Sequence, residues 1–410
     1  MTYSPSLPAI GAVLVGLAAG FVVAPALAQK QYGPGVSDTE IKIGNTMAYS
    51  GPVSPYGVIG KTAAAYFRMT NEKGGINGRK INFISYDDAY SPPKTVEQTR
   101  KLVESDGVLL IFNGLGTPPQ TAVQKYLNSR GVPQLFVATG ASKWGNPREF
   151  PWTMGFGPTY EGEGRIYARY VLDKHPVGKI AILYQNDDYG RDYLNGFKDG
   201  LGDKAKSQIV AEATYEGTDT TVDSQILRLQ ASGADVFFNV TTAKFSAQAI
   251  KKMAEIGWKP VHLLNSVSNS VGAVMTPAGP ANAKGVLSAA YGKDPTDPQW
   301  RDDPAYKEWL AFMNTYYPEG DKTSTFTVYG FIAAQTMVQV LKQAGDNLTR
   351  ENVMRQAAGL KDLDLGMLLP GIAINTSATD YFPIEQMQLQ RFNGDKWDLF
   401  GPIISGEGRS

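Results

Sequence analysis

Between residues 40 and 144 apolar and polar positions follow one repeating rhythm: a short apolar or alternating run, a glycine-rich turn, then a stretch of helical period. Glu40-Ile41-Lys42-Ile43-Gly44 alternates and predicts a first strand; the loop Tyr49 to Gly57 leads into a helix from about Val58 to Lys73. Gly74-Gly75 stops that helix, and the Asn77-Gly78 turn feeds a strand from Lys80 to Tyr86. Asp87-Asp88 and Pro92-Pro93 then announce a helix through Glu104. The clearest unit is Val108 to Asn113, a fully apolar strand, followed by Gly114-Leu115-Gly116-Thr117 and a helix opening at Pro118. With Thr117 as N-cap and Pro118 in the first helical position, free N–H groups of the first turn would point back at the strand end and attract negative charge.

A second series starts near Tyr160. A helix to Lys174, the strand Lys179 to Tyr184, and Asp187-Asp188-Tyr189-Gly190 opening another helix are followed by βα units at Gln208 to Ser232, Asp235 to Ile256 and Val261 to Asn265. Two such series predict an α/β protein with two doubly wound parallel-sheet lobes. Long helical patterns follow at Pro304 to Tyr317 and Thr325 to Gln343. Asn393-Gly394, set between alternating segments in Pro383 to Ile404, predicts a terminal β-hairpin.

Composition narrows the partners. Residues 10–27 are apolar and end in Pro25-Ala26-Leu27-Ala28, a small-residue cleavage pattern, so residues 1–28 are expected to be a signal peptide removed after Ala28 and the protein is expected to be periplasmic. A basic n-region is missing, but the run is broken by Gly16, Gly20 and Pro25 and sits at the lower limit for a membrane span. The remainder is too long for one ordinary core and comfortable for two lobes. Lys+Arg and Asp+Glu both number 39, with no dense basic stripe, which argues against nucleic acid as a partner. Cysteine is absent, which removes disulfides, thiolate metal sites and thiol nucleophiles together.

Catalytic chemistry is also missing. The chain has two histidines: His175 is read as a helix-end residue before Pro176, and His262 as a structural residue in a strand. No H-E-x-x-H, P-loop, G-x-G-x-x-G or G-x-S-x-G pattern occurs, and Ser91-Pro92-Pro93-Lys94 matches S-x-x-K only formally. The pairs Asp87-Asp88 and Asp187-Asp188 follow strands, where capping is the simpler reading than acid–base work. No enzyme activity, metal or cofactor is therefore expected.

Ser50-Gly51-Pro52, Tyr56-Gly57, Asn71 to Gly78, Tyr86-Asp87-Asp88 and Asp188-Tyr189-Gly190, in that order, resemble the signatures of periplasmic solute-binding proteins of branched-chain amino acid type ABC transporters. That resemblance implies a type I periplasmic binding fold, two lobes joined by three crossovers, here placed near Gly155 to Thr159, Ala289 to Gly292 and Pro370 to Ile374. The corresponding division is 29–156 and 290–370 for the N-terminal lobe, 157–289 and 371–410 for the C-terminal lobe and hairpin. It implies that a ligand carboxylate is held from loops matching Gly116-Thr117 and Thr139-Gly140-Ala141-Ser142, that Tyr56 packs on the ligand side chain, and that Tyr189 reaches it from the second lobe. Structural readings stand beside these: Tyr56 as loop cover, Thr139 and Ser142 as caps, and Trp144, Phe326 and Tyr329 as core.

One departure shapes the ligand expectation. Where amino-acid-binding members supply an acid for the ligand ammonium, the matching stretch Leu264 to Asn269, with Val267 and Ser268, has none; Thr241 replaces the family's second-lobe tyrosine. An unpaired ammonium in a closed cleft costs several kcal/mol, about 3–5. The expected ligand is a carboxylate without an α-amino group, an aromatic acid of benzoate, phenylacetate or cinnamate type. A branched-chain or other aliphatic amino acid is the alternative. The expected partner is an inner-membrane ABC permease, with a ligand-sensing role for a membrane receptor as a further alternative, and the chain is expected to be a monomer.

Overall fold

The structure, a computed structural model, describes residues 1–8 and 30–407; the expected cleavage after Ala28 lies outside them. The chain enters through a two-residue strand, β1 (Gln31–Tyr32), and builds the first lobe from β2 (Glu40–Met47), α1 (Val58–Glu72), β3 (Lys80–Asp87), α2 (Pro92–Arg100), β4 (Leu110–Phe112), α3 (Thr117–Ser129), β5 (Gln134–Val137) and β6 (Thr153–Gly155). The second lobe follows with α4 (Tyr160–Lys174), β7 (Ile180–Gln185), α5 (Asp188–Leu201), α6 (Ala205–Gln208), β8 (Ile209–Tyr215), α7 (Asp223–Ala231), β9 (Val236–Val240), α8 (Ala243–Glu255), β10 (Val261–Leu264), α9 (Thr276–Ala278) and β11 (Leu287–Ala290). The chain then returns to the first lobe with α10 (Pro304–Tyr316), α11 (Thr325–Ala344), β12 (Asn347–Leu348) and α12 (Arg350–Ala357), and ends in the second with β13 (Gln386–Phe392) and β14 (Trp397–Ser405).

The first sheet runs β3-β2-β4-β5-β6, all parallel; the second runs β14-β13-β11-β10-β9-β7-β8, parallel except at the hairpin edge. Parallel pairing needs helical crossovers on both faces, which is why β4, β5 and β9 are fully buried and apolar except for Gln134 and Asn239. It also aligns the strands' carboxyl ends, so both sheets present their loops to a shared cleft. In the first lobe α11 lies on α1 so closely that a side chain on Gly330 would press 2.7 Å from the Ile59 carbonyl oxygen. That contact fixes the N-terminal turn of α11 beside the cleft.

The first two interlobe passages run between β6 and α4 and just after β11, where Gly292 already bridges Leu368. The third falls later. Ile372, Ile374, Tyr381 and Ile384 are buried in the first lobe's core, so the chain leaves that lobe between Ile384 and Gln386 rather than near Pro370 to Ile374. This stretch carries no regular strand or helix, so no periodicity marks which core it joins.

Candidate functional site

A cavity of about 140 Å³ lies between the lobes. Its first-lobe wall begins with the loop after β4. Gly116 holds φ +94°, a conformation side chains rarely adopt, and a Cβ there would collide with the Tyr90 ring. Gly116, not Thr117, is the N-cap of α3, and Thr117 is its first helical residue. The donor supply of this helix start is smaller than expected: Pro118 and Pro119 carry no N–H, and the Gln120 N–H donates to the Gly116 carbonyl at 3.0 Å. The Thr117 N–H is what remains, and it has no hydrogen-bond partner among the described residues. Thr117 Oγ1 meets Thr139 Oγ1 at 2.5 Å.

The neighbouring loop after β5 is spent differently. Thr139 Oγ1 accepts from the Ala141 N–H at 3.2 Å and from the Trp144 indole at 3.4 Å. The Ser142 N–H donates to Asp192 Oδ2 at 2.8 Å, and Lys143 Nζ lies 2.6 Å from Asp188 Oδ2, so residues 142 and 143 tie the first lobe to α5 of the second. Burial pushes the Asp192 carboxyl up to about 6. The Gly140 N–H is engaged by the Tyr160 hydroxyl, and a Cβ at Gly140 would lie 2.7 Å from the Tyr160 ring and would strike the Pro158 carbonyl.

Tyr56 joins the lobes as well as lining the cavity. Its hydroxyl accepts from the Ala243 N–H at the start of α8 at 2.9 Å and donates to the Val267 carbonyl at 3.0 Å, and its ring lies 4.5 Å from that of Phe326. Burial pushes its phenol up to about 12, so it is a neutral hydroxyl. On the second-lobe wall Tyr189, Thr242, Ser266, Val267 and Asn269 face the cavity. The Tyr189 hydroxyl reaches Asn265 Oδ1 at 3.3 Å.

Of the residues expected from sequence, Tyr56, Gly116, Thr117, Thr139, Gly140, Tyr189 and Val267 line the cavity, whereas Ala141, Ser142, Thr241 and Ser268 do not. Ser142 serves the lobe junction. Thr241 turns inward, donating to Asn239 Oδ1 and meeting Ser246 Oγ, both at 2.7 Å, and its neighbour Thr242 takes the wall position. Ser268 Oγ donates to the Thr241 carbonyl at 2.6 Å. The rings of Tyr90, Tyr160, Tyr291, Phe326 and Tyr329 complete the wall. Phe326 and Tyr329, expected as core, line the cavity from the first two turns of α11 behind its Ser324 N-cap, and Tyr291 lies inside the expected crossover; Tyr90, held at φ +61° beside Ala89 at +50°, had no sequence signal beyond its position after Asp87-Asp88. Trp144 is core, packed away from the cavity.

The acid-free loop Leu264 to Asn269 does have a carboxylate behind it. Glu163, fully buried on α4, accepts from the Ser266 N–H and Oγ and the Tyr167 hydroxyl at 2.6 Å each, and from the Tyr193 hydroxyl at 2.7 Å. Burial raises its pKa while these donors hold it down. With four donors it braces the loop and has little capacity left for an ammonium. The paired acids behave as caps and staples: Asp187 accepts from the Gly190 N–H, Asp88 from Tyr90 N–H and Thr95, and Asp87 from Tyr49 and Ser50. His262, buried beside Asn239, is pushed down to about 3, and His175 caps α4. At the second passage Lys293, paired with Asp303 at 2.7 Å, and its neighbour Asp294 line the cavity.

The arrangement can enclose a small, largely apolar molecule and offer it a few main-chain and hydroxyl donors. Its relatives have the same architecture. The chain is 26% identical over 323 residues to Leu/Ile/Val-binding protein homolog 1 of Brucella abortus, covering 76% of this chain and 81% of that one. It superposes on a branched-chain amino acid ABC transporter protein from Thermus thermophilus with bound valine at a TM-score of 0.80, with 17% identity over 90% of this chain and 97% of that one. A fatty acid ABC transporter substrate-binding protein from Thermomonospora curvata gives 0.76, with 24% identity over 92% and 95%. The family profile described as periplasmic binding protein matches residues 40–396, and the chain therefore belongs to that family.

Proposed function

We propose that this protein captures a small carboxylate with an apolar body between its lobes and delivers it to an inner-membrane permease. The observation that carries the reading is the pairing of the unengaged Thr117 N–H at one wall with the rings of Tyr56, Tyr90, Tyr160, Tyr291, Phe326 and Tyr329 around the rest. Contacts from both lobes to one ligand would favour the closed arrangement, the form a permease would read.

Two ligand classes fit that description. The names of the relatives favour a branched-chain amino acid. The acid-free loop at residues 264–269, with Glu163 already satisfied, favours an acid without an α-amine, such as phenylacetate or benzoate. A thermal-shift series separates them: leucine and valine, their 2-oxo acid counterparts, and the two aromatic acids. Stabilisation by the oxo acids or aromatic acids above that of the amino acids supports an amine-free ligand. Stabilisation by leucine or valine alone moves the assignment to amino acids, and no shift with any member rejects the carboxylate reading.

A further inference from the structure

Six phenols stand on the cavity wall, and five of them are bonded within the protein. Tyr56 holds Ala243 and Val267, Tyr90 reaches Gln185, Tyr160 accepts from the Gly140 N–H, Tyr189 meets Asn265 and Tyr329 meets Asn113. Tyr291 is the exception: its hydroxyl has no hydrogen-bond partner among the described residues. The two carboxamides on the wall divide in the same way. Asn269 uses both ends, donating to the Ala289 carbonyl at 3.1 Å and accepting from Thr325 Oγ1 at 3.2 Å. Gln390, 2% exposed on β13, uses neither end among the described residues. Neither free group is shut in by protein, in contrast to Asp294 Oδ2, which is fully enclosed.

The backbone under both side chains is fixed. Tyr291 follows β11 directly, and its carbonyl accepts from the Leu369 N–H at 2.9 Å. Gln390 pairs with Ser288 across the β11–β13 ladder. At Gly157, in the first interlobe passage, an added Cβ would meet only the Tyr291 hydroxyl and its ring carbon, at 3.5 and 3.8 Å, so the glycine leaves room beside that hydroxyl. Buried polar groups without partners lower stability, and on a cavity wall a bound molecule can offset that loss.

We propose that Tyr291 and Gln390 form a neutral polar subsite that binds a hydroxyl carried by the ligand in addition to its acid group. The proposal rests on the carboxylate reading above and narrows it to hydroxy acids. A phenol and a carboxamide can each donate and accept, which matches a hydroxyl, and neither brings a charge to balance an ammonium or a second carboxylate.

The test is calorimetric binding to the purified protein of acids that differ only in a hydroxyl: phenylacetate against 3-hydroxyphenylacetate and 4-hydroxyphenylacetate, and isocaproate against 2-hydroxyisocaproate. At least one hydroxylated member is expected to bind about tenfold or more tightly than its parent. Tyr291→Phe and Gln390→Leu remove the polar atoms and keep the bulk, and each is expected to shrink that gap to within about threefold. Because these atoms bond nothing in the protein, melting temperatures without ligand should rise or stay within about 2 °C of the unaltered protein. A larger fall in a variant shows its polar group serving the fold and overturns its assignment. A gap closed by one substitution alone overturns the role of the other residue. Equal affinities across all pairs in the unaltered protein, or a gap that survives both substitutions, overturn the subsite while leaving the carboxylate reading in place. Absence of binding by all five compounds overturns the carboxylate reading and this proposal with it.

Discussion

The loops after β4 and β5 stand side by side at one sheet edge, and both offer small residues and hydroxyls: Gly116-Thr117 in one, Ala141-Ser142 in the other. They do opposite work. At the first, main-chain donors are few because two prolines follow, yet the Thr117 N–H stays uncommitted. At the second, the Ser142 N–H is consumed by Asp192 and the adjacent Lys143 by Asp188. Position at the carboxyl edge of a parallel sheet therefore does not make a ligand loop; the hydrogen-bond ledger of each group decides.

Substitutions can press on that contrast. The largest effect is expected from Gly116→Ala, which forces a side chain into φ +94° and against the Tyr90 ring. A loss of about 2–4 kcal/mol in denaturant unfolding, with loss of ligand-induced stabilisation, is expected. Thr117→Val keeps the shape and removes the hydroxyl; affinity for the best ligand of the thermal-shift series should fall about tenfold, measured by calorimetry, with a stability change near 1 kcal/mol. If the hydroxyl were only structural, stability would fall and affinity would not.

At the second loop the expected effects are on the lobe junction. Burial raises the Asp192 carboxyl to about 6, above its value near 4 in the unfolded chain, so the native state binds the proton more tightly. Stability therefore declines as pH rises from about 4 to about 6, and Asp192→Asn should remove that part of the decline, on the order of 1–2 kcal/mol. Asp294 titrates in the same direction, so part of the slope should persist in thermal melts of the variant. Ser142→Ala should be the mildest: its Oγ has no partner among the described residues, and both stability, within about 0.5 kcal/mol, and ligand affinity should be unchanged. A clear loss of affinity there would put Ser142 back in the site and erase the contrast between the loops.

The two-lobed fold was legible because parallel strands buried on both faces must be apolar runs, and their turns need glycine. The helix from Tyr160 to Lys174 matched to the residue, its start fixed by the Thr159 cap. The site was legible at the level of loops and blurred at the level of atoms. Thr241 was expected where Thr242 stands, since one residue beyond a strand end reverses which side faces the cleft. Pro118 and Pro119 were in plain view, and counting their missing N–H groups would have corrected the anion cradle. Asp192, Glu163 and Asp294 were invisible for another reason: each acts across the fold, far in sequence from the loop it serves or the wall it lines.

The path of the chain also constrains how the protein is made. The first lobe's core is not closed until Ile384, and the second lobe's sheet is not finished until β14 is laid against β13. Neither half can reach its final form while the carboxyl end is still on the ribosome. Full packing of either lobe thus waits on the last segments to be made, a timing set by the order in which they are spelled out.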